Sequence, residues 1–166
     1  MANNRIYYAT QKVGIKPNST PDIPYHTIKG VQSVGMATNF NLEQVFQIGQ
    51  QALYENIEEI PDVEVTLTKV LDGCHLMYLR ATEDSTTPEL SNKGNRQCMF
   101  GLGIYSDSVE LAAGTPETFV QCSGMYISAV SYTFSLDDNF SEDVTLVGNN
   151  KVWKDDPRVL NPSDQI

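Results

Sequence analysis

The sequence predicts an all-β fold, mainly antiparallel, built as a two-sheet β-barrel or sandwich with one short flanking helix. Three observations carry this. Apolar residues recur with period two through 31–42, 62–70 and 126–136, the spacing of half-buried strands. Compact polar turns, Leu71-Asp72-Gly73 and Asp137-Asp138-Asn139, separate such runs and suit tight antiparallel connections. Helical residue types with little β-branching gather once, at His75-Leu76-Met77-Tyr78-Leu79-Arg80.

Taken in order, residues 1–30 read as an irregular N-terminal arm, interrupted by Pro17, Pro21 and Pro24 and punctuated by Gly14 and Gly30. Arg5-Ile6-Tyr7-Tyr8-Ala9 is a candidate short strand within it. From Val31 the chain alternates: Val34, Met36, Phe40 and Leu42 share one parity, Ser33, Gly35, Ala37, Asn39 and Asn41 the other. Val45-Phe46-Gln47-Ile48-Gly49, running toward Leu53-Tyr54, fits a strand or an amphipathic helix. Gly49 costs about 1 kcal/mol in a helix interior, which favours a strand. Val63, Val65 and Leu67 alternate with Asp62, Glu64, Thr66 and Thr68 in the clearest strand of the first half.

After the short helix, 83–96 is a polar loop and Cys98 to Tyr105 an apolar run short enough for a buried strand. Glu110 to Thr118 is a connection, and Phe119-Val120-Gln121-Cys122 opens the last strand block. There Tyr126, Ser128, Val130, Tyr132, Phe134 and Leu136 fall on one parity. Across the turn, Val144 and Leu146 continue the alternation, which predicts a long antiparallel hairpin. The candidate core is therefore Val63, Val65, Leu67, Tyr132, Phe134, Leu136, Val144 and Leu146. Residues 154–166 read as a polar C-terminal tail, and the whole of 1–166 as a single domain.

Composition narrows the function. The 166 residues carry a formal net charge of −10. Affinity for nucleic acid and for anionic lipid comes mainly from Lys and Arg, so specific binding to either is not expected. An acidic wall beside DNA instead repels the polyanion and leaves it free to slide. Cys74, Cys98 and Cys122 are an odd set that closes no disulfide framework, as expected for a cytoplasmic protein. The opening MANNRIYYATQKVG has no apolar run of the kind a secretion signal needs, and no segment reaches transmembrane length.

Chemistry finds little support. His26 and His75 are the only histidines, and adjacent Cys74-His75 lacks the spacing of paired zinc ligands. There is no Gly-x-Ser-x-Gly elbow and no phosphate loop. Glu55, Glu58, Glu59, Asp62 and Glu64 read as a solvated face rather than a glycosidase pair. Trp153 and most tyrosines sit on strand parities that read as core, which disfavours a carbohydrate platform. No catalytic, cofactor or metal residue is assigned, and the chain is expected not to be an enzyme.

Two segments carry a resemblance. One runs from Gly30-Val31-Gln32-Ser33-Val34-Gly35 through Asn39-Phe40-Asn41-Leu42-Glu43 and Glu55-Asn56-Ile57 to Ile60-Pro61-Asp62-Val63-Glu64-Val65-Thr66-Leu67-Thr68-Lys69-Val70-Leu71-Asp72-Gly73. The other runs from Val130-Ser131-Tyr132-Thr133-Phe134-Ser135 through Asn139-Phe140-Ser141-Glu142-Asp143 to Val144-Thr145-Leu146-Val147-Gly148-Asn149-Asn150-Lys151-Val152-Trp153. Together they resemble the tail tube proteins of tailed bacteriophages, especially those with contractile tails. The resemblance covers roughly half of the chain and rests on structural patterns rather than catalytic motifs.

The resemblance implies hexameric rings that stack into a hollow tail tube, with hairpins 31–56 and 126–148 side by side around the lumen. DNA would pass through without specific binding, and sheath, baseplate and terminator proteins would be the partners, in a virion tail assembled in a bacterial cytoplasm. Glu43, Gln47 and Gln50 are candidate lumen-facing residues. The arm at 14–30 and the loop at 83–96 are candidate ring-to-ring contacts. Baseplate, tail-terminator and secretion-system ring subunits are the alternative structural roles. A β-sandwich hydrolase or binding module is the alternative outside that class.

Overall fold

The alternating segments pair with one another as their period requires. The computed structural model describes residues 11–18, 24–49, 55–73, 75–82, 93–106, 114–136, 138–155 and 166. Expectations that fall on Arg5–Ala9, Gln50, Leu53-Tyr54, Cys74, Asp137, 83–92 and 156–165 lie outside the described residues.

Among the described residues, ten strands and one α-helix follow in chain order. They are β1 (Gln11–Pro17), β2 (His26–Thr27), β3 (Val31–Asn39), β4 (Leu42–Val45), β5 (Glu55–Glu58), β6 (Asp62–Val70), α1 (Met77–Thr82), β7 (Gln97–Ile104), β8 (Thr118–Thr133), β9 (Ser141–Gly148) and β10 (Asn150–Lys154). The main sheet runs β2-β1-β7-β8-β9-β6-β3, with β10 also on β8, and β4-β5 form a separate two-stranded sheet. Every pairing is antiparallel.

The 16-residue β8 organises this sheet. Its first half lies between β7 and β10, with Leu102 opposite Val120 and Lys151 opposite Cys122. Its second half pairs with β9, Val130 opposite Val144. One half-sheet is thus β2-β1-β7-β8-β10 and the other β8-β9-β6-β3, joined where β8 continues from one to the other. Gly124 marks that corner with φ +65°, a left-handed conformation open to glycine and costly for residues with a Cβ.

The core fills the space between the two halves. Val63, Val65, Leu67, Val144 and Leu146 are buried there with Val13, Ile15, Phe100, Leu102, Val120, Cys122 and Met125. Tyr132, Phe134 and Leu136 differ from the expectation of core: they are 38%, 66% and 103% exposed. The reason is local. The β8–β9 register shifts between Ile127 and Ala129, so one extra residue moves Tyr126 to the outer face, while Tyr132 stays on the side of Val130, opposite buried Glu142, and is half covered because β8 is a sheet border there. Tyr126 therefore lies across the sheet from Val130 and Tyr132, and Phe134 and Leu136 come after the strand has ended.

The irregular-arm reading also changes over Gln11–Pro17, which is a strand in continuous register with β7 from Gln11↔Ile104 to Pro17↔Cys98. The prolines bound this strand instead of interrupting it. Ile15 is fully buried, so 14–17 belongs to the folded domain rather than to a free ring-to-ring arm. Lys16 is also buried, with its ammonium 4.8 Å from the Tyr25 ring centroid.

Helix α1 begins two residues after the expected His75 and is tied to the sheet by Glu142, a fully buried carboxylate on β9. Met77 N donates to Glu142 Oε2 at 2.9 Å, and Tyr132 Oη donates to Oε1 at 3.2 Å. Opposite Glu142 in register is buried Lys69, whose Nζ donates to His75 O at 3.0 Å and lies 3.4 Å from Asp72 Oδ1. Burial first, and then the negative charge of Glu142, pushes the Tyr132 phenol up from its ordinary value, so it remains a donor.

Candidate assembly surface

The half-sheet β8-β9-β6-β3 presents two unlike faces. Toward the core its rows read Val34–Leu67–Val144–Val130 and Met36–Val65–Leu146–Ile127. Away from the core they read Ser33–Thr68–Asp143–Ser131, then Gly35–Thr66–Thr145–Ala129, then Ala37–Glu64–Val147–Tyr126. The outer rows hold mostly Ser, Thr, Ala and Gly, with carboxylates at Asp62, Glu64 and Asp143. Thr68 Oγ1 donates to Asp143 Oδ1 at 2.7 Å, which fixes one carboxylate in its row.

Charge separates along the chain in the same way. From Gly30 to Thr68 there is no Lys or Arg, while Glu43, Glu55, Glu58, Glu59, Asp62 and Glu64 are all acidic. From Gln97 to Asn150 there is again no Lys or Arg. These stretches contain nearly all of the four strands. The one cation within those strands, Lys69, is buried on the core side.

Both borders of this half-sheet are open among the described residues. β3 pairs with β6 alone, and β8 beyond Tyr126 pairs with β9 alone. An exposed strand edge is a row of unpaired N–H and C=O groups that can template another strand. Val34 and Met36 on β3 are only half buried, as expected at an unfinished border.

β3 and β6 continue into β4 and β5 as one long hairpin, broken at Phe40-Asn41 and Glu59–Pro61. Asn41 adopts φ +46°. Its Nδ2 donates to Ile60 O at 3.3 Å and to Asp62 Oδ2 at 2.8 Å, clamping the two sides of the break together. Beyond the clamp, Leu42, Phe46, Ile48, Ile57 and Ile60 are exposed at 45% or more. A two-stranded ribbon is marginal alone in water, and this much exposed apolar surface marks a contact region.

Of the lumen candidates, Glu43 lies on β4 opposite Ile57 and Gln47 follows β4; both are exposed. They sit on the projecting part of the hairpin, while the outer rows of the half-sheet bring together Thr66, Thr68, Asp143, Thr145, Ala129 and Ser131. Sequence reasoning did not single out these six. Their small, polar, alternating character was visible, but which parity faced outward was not.

At the other end of the half-sheet, Phe134 stacks with Tyr132 at 6.5 Å and meets Phe140 edge-on at 5.1 Å. Lys29, Arg80 and His75 border a nearby cleft of about 410 Å³. His26, on β2, has a pKa lowered by burial and by the charge of Arg80. Trp153, which the sequence parity placed in the core, is 52% exposed on β10 because that strand is a sheet border.

No family model matches the sequence, and no curated protein matches it either. Solved structures do share the fold. A chain of the PVC sheath–tube complex, an extracellular contractile injection system in its extended state, aligns with TM-score 0.64 over 93% of this chain and 95% of that one at 10% identity. A chain from the PVC sheath/tube terminator aligns with TM-score 0.65 over 93% and 99% at 11% identity. The SPP1 tail tube aligns with TM-score 0.62 over 92% and 80% at 10% identity. The chain therefore has the tail-tube fold.

Proposed function

We propose that the chain is the ring-forming subunit of a hollow tail tube, with the half-sheet β8-β9-β6-β3 lining the channel. The observation that carries this reading is a sheet segment with two open borders whose outer face is small, polar and acidic. Joining the free side of β3 to the free side of β8 of the next copy completes both edges, and repetition around an axis closes a ring. Rings of six follow the resemblance and are supported by a related fold in a baseplate structure described as 6-fold symmetrised.

Such a ring turns the acidic face inward. Low bulk keeps the channel wide, and the absence of Lys and Arg leaves a DNA duplex without phosphate partners, so it slides during ejection into the host. Glu43 and Gln47, on the hairpin continuing from this sheet, extend the polar lining beyond each ring. The tail of a virion is the corresponding location, with sheath, baseplate and terminator proteins as neighbours in the particle.

Negative-stain microscopy of the purified full chain tests this. Rings or tubes with a central hole are expected. Particles that stay monomeric at millimolar concentration would refute it, and single rings that never stack would favour a terminator role.

A further inference from the structure

β10 is the border of the other half-sheet. It pairs with β8 from Asn150↔Ser123 to Lys154↔Phe119, and among the described residues no strand covers its second side. β5 is likewise paired on one side, with β4. The two borders carry complementary side chains. β10 reads Asn150-Lys151-Val152-Trp153-Lys154, with Val152 and Trp153 exposed and both lysines half-buried; Lys151 Nζ donates to Thr38 Oγ1 of its own chain, which leaves its remaining N–H groups for a carboxylate. β5 reads Glu55-Asn56-Ile57-Glu58, with Glu55, Ile57 and Glu58 exposed.

We infer that β10 of one copy receives the β5 border of a second copy, antiparallel, with Glu58 opposite Lys151, Ile57 opposite Val152 and Glu55 opposite Lys154. The inference rests on the self-assembly reading above and names a contact within it. Main-chain bonds across the new pair supply affinity, and the facing charges set the register.

The competing occupant is the chain's own hairpin, and the register disfavours it. β6 and β9 pair with Val63 opposite Gly148. Continuing that ladder along the same chain sets Ile57 opposite Lys154 and Ile60 opposite Lys151, so neither lysine has a carboxylate opposite it in that register. The matched register needs a two-residue slip that continuity with the β6–β9 ladder prevents. Pro61 offers no N–H at the junction, and the Asn41 clamp holds the break in place.

The test uses the full chain in three charge variants: K151E with K154E, E55K with E58K, and all four together. Each of the first two alone is expected to need about tenfold more protein to assemble, equivalent to about 1.4 kcal/mol. An equal mixture of those two, and the fourfold variant, recover assembly. Recovery in the mixture arises only if the strands come from different copies.

Wild type and all variants assembling equally well overturns the inference and leaves the self-assembly reading intact. Recovery of the fourfold variant without recovery of the mixture overturns it in favour of an intrachain contact. Wild type that never assembles sinks the self-assembly reading and the inference with it. A covalent trap decides the matter if a charge variant fails to fold. Ile57→Cys and Val152→Cys are placed in separate chains, each with Cys74→Ser, and oxidised together. A linked dimer in the mixture is expected, and its absence overturns the contact.

Discussion

Replacing Glu142 by Ala tests whether the helix is held to the sheet by one buried carboxylate. Glu142 is fully buried and accepts two well-formed hydrogen bonds, from Met77 N at 2.9 Å and from Tyr132 Oη at 3.2 Å. A hydrogen bond to a charged group is worth about 1.5–3 kcal/mol, so losing both costs roughly 3–6 kcal/mol. Lys69, opposite Glu142 in register, adds in the same direction because a buried ammonium loses a nearby negative charge. For a chain of this size each kcal/mol moves the melting temperature by about 2–4 °C, so the expected drop is roughly 6–24 °C. Glu142→Gln keeps an acceptor for Met77 N and is expected to lose less than the alanine variant. Thermal melts by circular dichroism at neutral pH measure both. An alanine variant melting within about 2 °C of wild type, below the smallest shift expected, would show that the bonds to Glu142 contribute little.

Further expectations concern thiols, the corner glycine and the channel face. Burial pushes Cys98 up to about 12 and Cys122 up to about 11, the latter partly offset by Lys151, so peptide-level mass spectrometry should find neither labelled by thiol reagents at pH 8 in the native chain. The linkage sign is that of a raised acid: the neutral thiols favour the folded state below their ordinary value of 9.0, and this contribution fades as pH climbs through the folded values, so stability should fall across that window. Rapid native labelling of Cys98 would contradict its placement. Gly124→Ala forces a Cβ into a left-handed conformation and should cost about 1 kcal/mol, read as a small loss in denaturant midpoint with an unchanged slope. Thr66→Arg with Thr145→Arg, adjacent on the proposed channel face, should still form tubes but hold duplex DNA at low salt and release it as salt rises. Variant tubes that retain no more DNA than wild type would place that face elsewhere.

The legible parts of the fold were those where one face is wet and the other dry. β6 shows this plainly: Val63, Val65 and Leu67 are buried, whereas Asp62, Glu64 and Thr66 are exposed. β1 was invisible because Val13 to Pro17 are buried in an unbroken run, leaving no alternation to detect, and because buried Lys16 imitates a surface residue. β8 was legible as a strand but misread in its faces. The bulge near Ser128 is a backbone event, and no side chain there announces it. The break in the first hairpin left partial traces, since Asn41 and Pro61 are ordinary turn formers, but the clamp from Asn41 to Ile60 and Asp62 depends on two segments meeting. The candidate channel face was harder still. Its Ser, Thr and Asp parity could be read from the chain, whereas its inner or outer sense follows from which parity packs on β1, β7 and α1.

The distribution of cations favours the proposed channel lining over an ordinary solvated face. Solubility alone asks for charge of mixed sign spread over the surface. Here the stretches 30–68 and 97–150 contain no Lys or Arg, and the cations of the described strands sit on β1, β10 and, buried, at Lys69. A monomer gains nothing from that segregation, and it concentrates repulsion on one half-sheet. A ring gains from it twice. In the proposed tube the acidic rows would face a polyanion that must not bind, while Lys151 and Lys154 on β10 lie on the other half-sheet, where the proposed contact puts the acidic hairpin of another copy. On that proposal, the same charges that would destabilise an isolated subunit distinguish the surface left empty from the surface covered by another copy.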